Sequence, residues 1–200
     1  MHRGIRSLAV VALLAVWTMP GVSSTTILVA KVSVWKYLDN GSNQGTNWRG
    51  PGFNDGTWPS GPAQLGYGDG DEATVVGFGP NPNNKYITTY FRKTFTVSDP
   101  TIYQSLKLNL LRDDGAVVYL NGIEILRSNV PAVPNLPYTR EAWVDVTGAD
   151  ESTFSPTFIN PALLVTGSNL LAVEVHQSSV TSSDMSFDAE LVASTTLQLT

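Results

Sequence analysis

The sequence predicts an all-β chain: one jelly-roll-like antiparallel β-sandwich over roughly residues 30–195, with under a tenth of it helical. Three observations carry that expectation. Short runs of β-branched and aromatic residues alternate with polar ones and stop at turn residues. Gly (17) and Pro (12) are scattered along the whole chain, and no long stretch keeps a 3.6-residue apolar period. Asn121-Gly122 also stands between two apolar runs, where a tight type I′ hairpin turn needs φ > 0 at both central positions.

The elements follow in order. VSVWKYL (32–38) alternates and ends at Asp39-Asn40-Gly41. Asn40-Gly41-Ser42 fits an N-glycosylation site and reads equally as a turn. Residues 39–87 hold 11 glycines and five prolines, yet Trp48, Phe53, Trp58, Leu65, Tyr67 and Phe78 punctuate them. So many apolar anchors indicate a packed loop region rather than a flexible linker. TTYFRKTFTV (88–97) ends at Ser98-Asp99-Pro100, and SLKLNLL (105–111) places Leu106, Leu108 and Leu110 on one face. GAVVYLNGIEILR (115–127) is the hairpin, preceded by Asp113-Asp114, whose carboxylates can cap backbone N–H groups and pair with Arg127. A single helical turn fits Pro161 to Leu164; NLLAVEVHQ (169–177) and MSFDAELV (185–192) complete the strands.

The N-terminus reads as a signal peptide over residues 1–24. Arg3 and Arg6 precede the apolar run Leu8 to Trp17, and Val22, Ser23 and Ser24 offer a small-residue end, with Ala30 a later cleavage position. Ten apolar residues are too few to span a bilayer, which takes about 20. The expectation is therefore a secreted or cell-surface chain with no membrane insertion once the leader is removed. Residues 25–200 then form a single domain with its core over about 32–193, a size that buries a real core. Losing Arg3 and Arg6 leaves 10 Lys+Arg against 17 Asp+Glu, a net charge of −7 without any basic cluster. Nucleic acid and anionic membrane surfaces are poor partners for such a chain. With Cys 0, disulfides, thiol catalysis and cysteine-ligated zinc are excluded.

His176 is the one histidine beyond the leader, with Ser178, Ser179, Ser182, Ser183 and Asp184 close behind it. If the strands at 169–177 and 185–192 pair antiparallel, Glu174, His176, Asp188 and Glu190 share a polar face able to move protons or hold a metal. The serines lie in the connecting loop, with no G-x-S-x-G turn to present a nucleophile. The expectation is a polar sheet face and no catalytic residue.

In their order, the strings WKYLDNG (35–41), FNDGTW (53–58), AQLGYGDGD (63–71), TTYFRKTF (88–95), LRDDGAVVYLNGIEILR (111–127) and GSNLLAVEVHQ…SSDMSFDAEL (167–191) resemble a galactose-binding-domain-like β-sandwich module of large secreted bacterial proteins. They are more distantly similar to the non-catalytic sugar-binding domain of family 2 glycoside hydrolases. The resemblance covers roughly residues 32–193 and implies the sandwich fold, a binding role without catalysis and carbohydrate as ligand. A structural or self-associating cell-surface protein is the alternative, working through exposed sheet edges. A polysaccharide-active enzyme using Glu174, His176 and Asp188 is the third reading.

Trp35, Trp48, Trp58 and Trp143 are candidate sugar platforms, although Trp48 and Trp58 also read as pins for the long loop. The expected ligand site is the loop end, built from Trp48, Arg49, Tyr67 and Asp69, where glycines let backbone approach a ligand. Asp69 and Asp71 of GYGDGDE resemble half of a calcium loop, since alternate carboxylates can converge on one hard cation. The EF-hand pattern itself fails, because Pro80 and Asn81 stand where its closing Glu belongs.

Overall fold

The computed structural model describes residues 24–195, so the expected signal peptide, Ser24 apart, lies outside the described residues. Twelve strands are present: β1 (Thr25–Val29), β2 (Val34–Leu38), β3 (Ser60–Pro62), β4 (Leu65–Tyr67), β5 (Thr74–Val75), β6 (Thr88–Val97), β7 (Ser105–Asp113), β8 (Gly115–Leu120), β9 (Ile123–Ser128), β10 (Ser155–Ile159), β11 (Gly167–His176) and β12 (Met185–Ser194). The described residues are 8% helical, below the tenth expected, and their helical residues are short 3₁₀ turns such as Pro161–Leu163. The fold is a β-sandwich, as the alternation predicts.

The first sheet runs β10-β7-β12-β4-β5, with β1 added along β12; the second runs β3-β2-β6-β11-β8-β9. From β6 onward the chain passes back and forth between the two, apart from the β8–β9 hairpin. That hairpin turns at Asn121 (φ 53°) and Gly122 (φ 88°), the left-handed pair its type I′ geometry requires. Asn121 also secures the neighbouring strand: its Nδ2 donates to Leu163 O, and its Oδ1 accepts from Leu170 N.

One expectation fails here. β11 and β12 do not pair: β11 lies between β6 and β8, whereas β12 lies in the other sheet beside β7, β4 and β1. Loop serines that look like a hairpin turn instead carry the chain across the sandwich. Glu174 and His176 therefore share no face with Asp188 and Glu190. The sequence reading also overlooks β1, the very short β3, β4 and β5, and β10, which are too brief or too polar to show alternation.

Between the sheets, Leu106, Leu108 and Leu110 of β7 meet Leu171, Val173 and Val175 of β11 and Met185, Phe187, Ala189 and Leu191 of β12, all buried. At its centre Phe187 stacks on Phe91 at 4.1 Å and meets the edge of Trp35 at 5.0 Å. A second apolar cluster covers the outer face of the second sheet: Trp48, Trp58, Tyr90, Val117, Tyr119, Leu170 and Ala172. Both faces of β11 are thus buried, which explains its near-continuous apolar run.

Phe187→Ala should cost about 3–5 kcal/mol, the range for an aromatic removed from a closed core. Urea unfolding followed by tryptophan fluorescence measures it.

Candidate functional site

The irregular segment after β2 folds over the outer face of the second sheet and is held there by Arg92. This guanidinium is 3% exposed. Its Nε donates to Asp55 Oδ2 at 2.8 Å, and its Nη1 donates to the carbonyls of Trp48 and of Gly50. Asp55 also takes Lys36 Nζ at 2.8 Å. Burial pushes the Asp55 pKa up, but the hydrogen bonds and charges of Lys36 and Arg92 outweigh it and hold the carboxyl below the usual aspartate range.

Beneath this cover lies a closed polar cluster. Glu174, 1% exposed, accepts from Tyr119 Oη at 2.7 Å and from Arg49 Nη2 at 3.5 Å. Burial first, then the Glu174 charge, raises the Tyr119 pKa, so its hydroxyl stays protonated and donating. Arg49 also packs over the Tyr119 ring at 4.5 Å and donates to Asn135 Oδ1. His176 is fully buried, with Nδ1 2.7 Å from Arg140 O and 3.0 Å from Thr88 Oγ1. A carbonyl oxygen only accepts, so Nδ1 carries the proton. Its Nε2 stands 3.6 Å from Glu174 Oε2, too far for a hydrogen bond. Asp188 is far from this cluster in fold terms, in the other sheet, where it accepts from Val32 N and Ala189 N and secures a turn.

The residues expected to form one loop-end site are divided. Trp48 is fully buried and lies edge-on to Tyr90 at 4.8 Å, so neither ring face is open to a sugar. Arg49 beside it is buried against Glu174. Tyr67 belongs to the core between the sheets, 5.0 Å from Phe78. The second sheet separates Trp48 and Arg49 from Tyr67. The physical reason is that a loop of this length must bury its large apolar residues to stay folded, and the nearest uncovered surface is the sheet beneath it. Asp69 and Asp71 do reach the surface. Asp69 Oδ2 accepts from Ser186 Oγ at 3.1 Å, Asp71 Oδ1 from Gln64 Nε2 at 3.2 Å, while Glu72 takes the backbone N–H of Asp69 and Gly70.

What the loops build instead is an acidic pocket of about 270 Å³ at one end of the sandwich, lined by Asp114, Asp145, Glu151, Ser182 and Asp184 among others. Arg127 pairs with Glu124 at 2.7 Å rather than with Asp113 or Asp114. Asp114 does cap backbone as expected: its oxygens accept from Val146 N and Ser178 N, both at 2.7 Å. Asp113 does not. It is 1% exposed and holds no backbone N–H; its partners are the neighbouring Asp114 carboxyl and the charge of Arg112. Burial, then Asp114, Asp184 and Glu151, push its pKa up to about 9. Asp69, Glu151 and Asp184 each present an oxygen within 4.8 Å of the others. Gly68 (φ +111°) permits that meeting, since a Cβ there would lie 2.7 Å from Asp184 Cβ. Sequence reasoning singled out neither Asp145 nor Glu151, which reach the pocket from irregular loops that carry no local motif.

No family model matches the chain, and no curated protein matches it. Solved structures do. A β-glucuronidase of Bacteroides uniformis aligns at 16% identity over 86% of this chain and 18% of its own, with a TM-score of 0.52. The β-glucuronidase of Ruminococcus gnavus aligns at 12% identity over 88% of this chain and 30% of its own, with a TM-score of 0.51. At such identities the likeness is one of fold. The chain spans under a third of either enzyme's length.

Asp55→Asn should cost about 1–2 kcal/mol, the low end for charged hydrogen bonds because water reaches Asp55. The sign follows from the lowered pKa: the stability is present above the ordinary aspartate pKa and lost as pH falls through the folded one. Urea midpoints of the variant and the parent should therefore differ above about pH 4 and converge only as the pH falls below the lowered Asp55 pKa.

Proposed function

We propose that this chain is an exported, non-catalytic binding module that takes carbohydrate at the loop end, beside the acidic pocket. Trp143 carries the reading. It is 64% exposed, whereas Trp35, Trp48 and Trp58 are buried. Exposed Val144 follows it, and the next residue, Asp145, lines the pocket. Two Cα steps place the Trp143 backbone within about 8 Å of that of Asp145. A sugar ring suits this pairing, with C–H groups to lay on an indole and hydroxyls to bond carboxylates and serines.

Other observations support it. The described neighbours are β-glucuronidases, and this chain corresponds to 18% and 30% of them, which fits a domain that accompanies catalysis. The motif resemblance to the sugar-binding domain of family 2 glycoside hydrolases points the same way. The leader-like N-terminus, with Arg3 and Arg6 before its apolar run, supports export. Among the described residues no helix is long and apolar enough to cross a membrane.

The enzymatic alternative asks Glu174, His176 and Asp188 to act together, yet the first two are enclosed and the third lies in the other sheet. Self-association through strand addition meets blunted edges: β10 carries Pro156, and β9 carries the Glu124–Arg127 pair.

A glycan array should show binding by the full chain, and calorimetry on a hit should show Trp143→Ala weakening it by about 1–2 kcal/mol, roughly five- to thirtyfold in Kd. Glycan silence with a large assembly on a sizing column would favour self-association instead. Unchanged affinity in Trp143→Ala would move the site elsewhere.

A further inference from the structure

We propose that the second sheet carries a site for a tetrahedral oxyanion, a sulfate or phosphate ester, built on Arg92 and the lysines beside it. A pocket of about 380 Å³ opens at the margin of the loop cover, where Lys36 of β2, Ser60 of β3 and Arg92 and Lys93 of β6 meet Phe53 and Asp55 of the loop. The full chain holds 12 Lys+Arg against 17 Asp+Glu, yet this lining holds three cations and one carboxylate. That carboxylate is already engaged, Oδ1 by Lys36 and Oδ2 by Arg92. Lys93 Nζ has only the Val34 carbonyl, at 2.9 Å, among the described residues. A carbonyl carries no net charge, so the pocket is left positive in an acidic protein.

Arg92 supplies the independent observation. Its Nε and Nη1 are taken by Asp55 and by the Trp48 and Gly50 carbonyls, whereas Nη2 has no acceptor among the described residues. Nor is Nη2 sealed: the enclosed side-chain atoms without a partner include Arg49 Nε but not this one. A buried guanidinium thus keeps one amino group open to the pocket it lines. The Phe53 ring centroid lies 5.2 Å from Arg92 Cζ, so one planar face is covered and the N–H edge is the way in. A charged donor with little water and no protein acceptor is matched by an anion that brings the acceptor with it.

The donor set selects the ligand class. A planar carboxylate is held best by two parallel N–H groups of one guanidinium edge. Both edges of Arg92 are already half used, through Nε and through Nη1, so no free fork remains. What remains are single donors from separate residues: Arg92 Nη2, the Lys36 and Lys93 ammonium groups and the Ser60 hydroxyl. Point donors around a pocket suit an anion whose oxygens spread in several directions, and lysine binds phosphate in this way. Val34, Pro51 and Phe53 give the rest of such an ester an apolar wall. This pocket shares no lining residue with the acidic one, so the site does not rest on the carbohydrate reading. Either can fail while the other stands.

The test is calorimetry on the full chain with phenyl sulfate and phenyl phosphate and no glycan, with phenol and benzoate as the neutral and planar controls. One or both esters should bind, more tightly than either control, and added NaCl should weaken them. The tighter ester identifies which oxyanion the site takes. Lys93→Ala and Lys36→Ala should each lose roughly tenfold in ester affinity, the worth of one charged hydrogen bond, and Lys107→Ala in the other sheet should keep it. Far-ultraviolet circular dichroism of the two lysine variants separates lost binding from lost fold. No heat from either ester up to ~10 mM would overturn the proposal, as would equal affinity for phenol or benzoate, or parent-like affinity in both Lys93→Ala and Lys36→Ala.

Discussion

The buried guanidinium of Arg92 decides which surfaces of this sandwich are open. A charge placed on the outer face of a sheet would normally sit in water. Here three backbone and carboxylate acceptors enclose it, and all of them come from the loop that follows β2. Holding that loop down buries Trp48 and Trp58 and turns the outer face of the second sheet into a second core. Removing one partner of a buried charge is costly, so the loop and the guanidinium hold each other in place. Glu174, Arg49, Tyr119 and His176 become internal structure as a result.

With that sheet face closed, exposed chemistry concentrates where strands end. Loops at the end of the sandwich have backbone to spare and no ladder to complete, so they can bring side chains together from distant parts of the chain. Asp114 illustrates this. Its two oxygens hold the backbone at Val146 and Ser178, and so fix the walls of the acidic pocket. Of the serines after His176, which resemble an active-site cluster in one dimension, Ser179, Ser182 and Ser183 line that pocket, while the hydroxyls of Ser178 and Ser183 bond the carboxylates of Asp145 and Asp184.

Two constraints then meet at Asp113. The β7 ladder runs up to it and fixes its side chain on the face opposite the Leu106, Leu108 and Leu110 stripe. The 3₁₀ turn with Glu151 and the 67–72 turn carry further negative charge to the same end. Folding alone gains nothing from collecting like charges, since each raises the cost of ionising the others. The burden is visible in the raised pKa of Asp69, where burial comes first and the charges of Asp184, Asp71 and Glu151 add to it.

Alternation and turn chemistry by themselves determined the all-β class, the long strands from β6 to β9, the Asn121-Gly122 hairpin, and β11 and β12 as individual strands, because period and φ preference are local properties. Two readings of Trp48 and Trp58 are open in the sequence, loop pin and sugar platform, and the expected ligand site takes Trp48 for the second; both rings are buried as pins. Only the tertiary structure decided that β11 and β12 lie in different sheets, that Trp48 and Tyr67 sit on opposite sides of one of them, and that Asp69, Glu151 and Asp184 meet. Side-chain alternation says which residues share a face but not which sheet a strand joins. That choice depends on which partner completes its hydrogen bonds and covers its apolar face, and the partner can lie a hundred residues away.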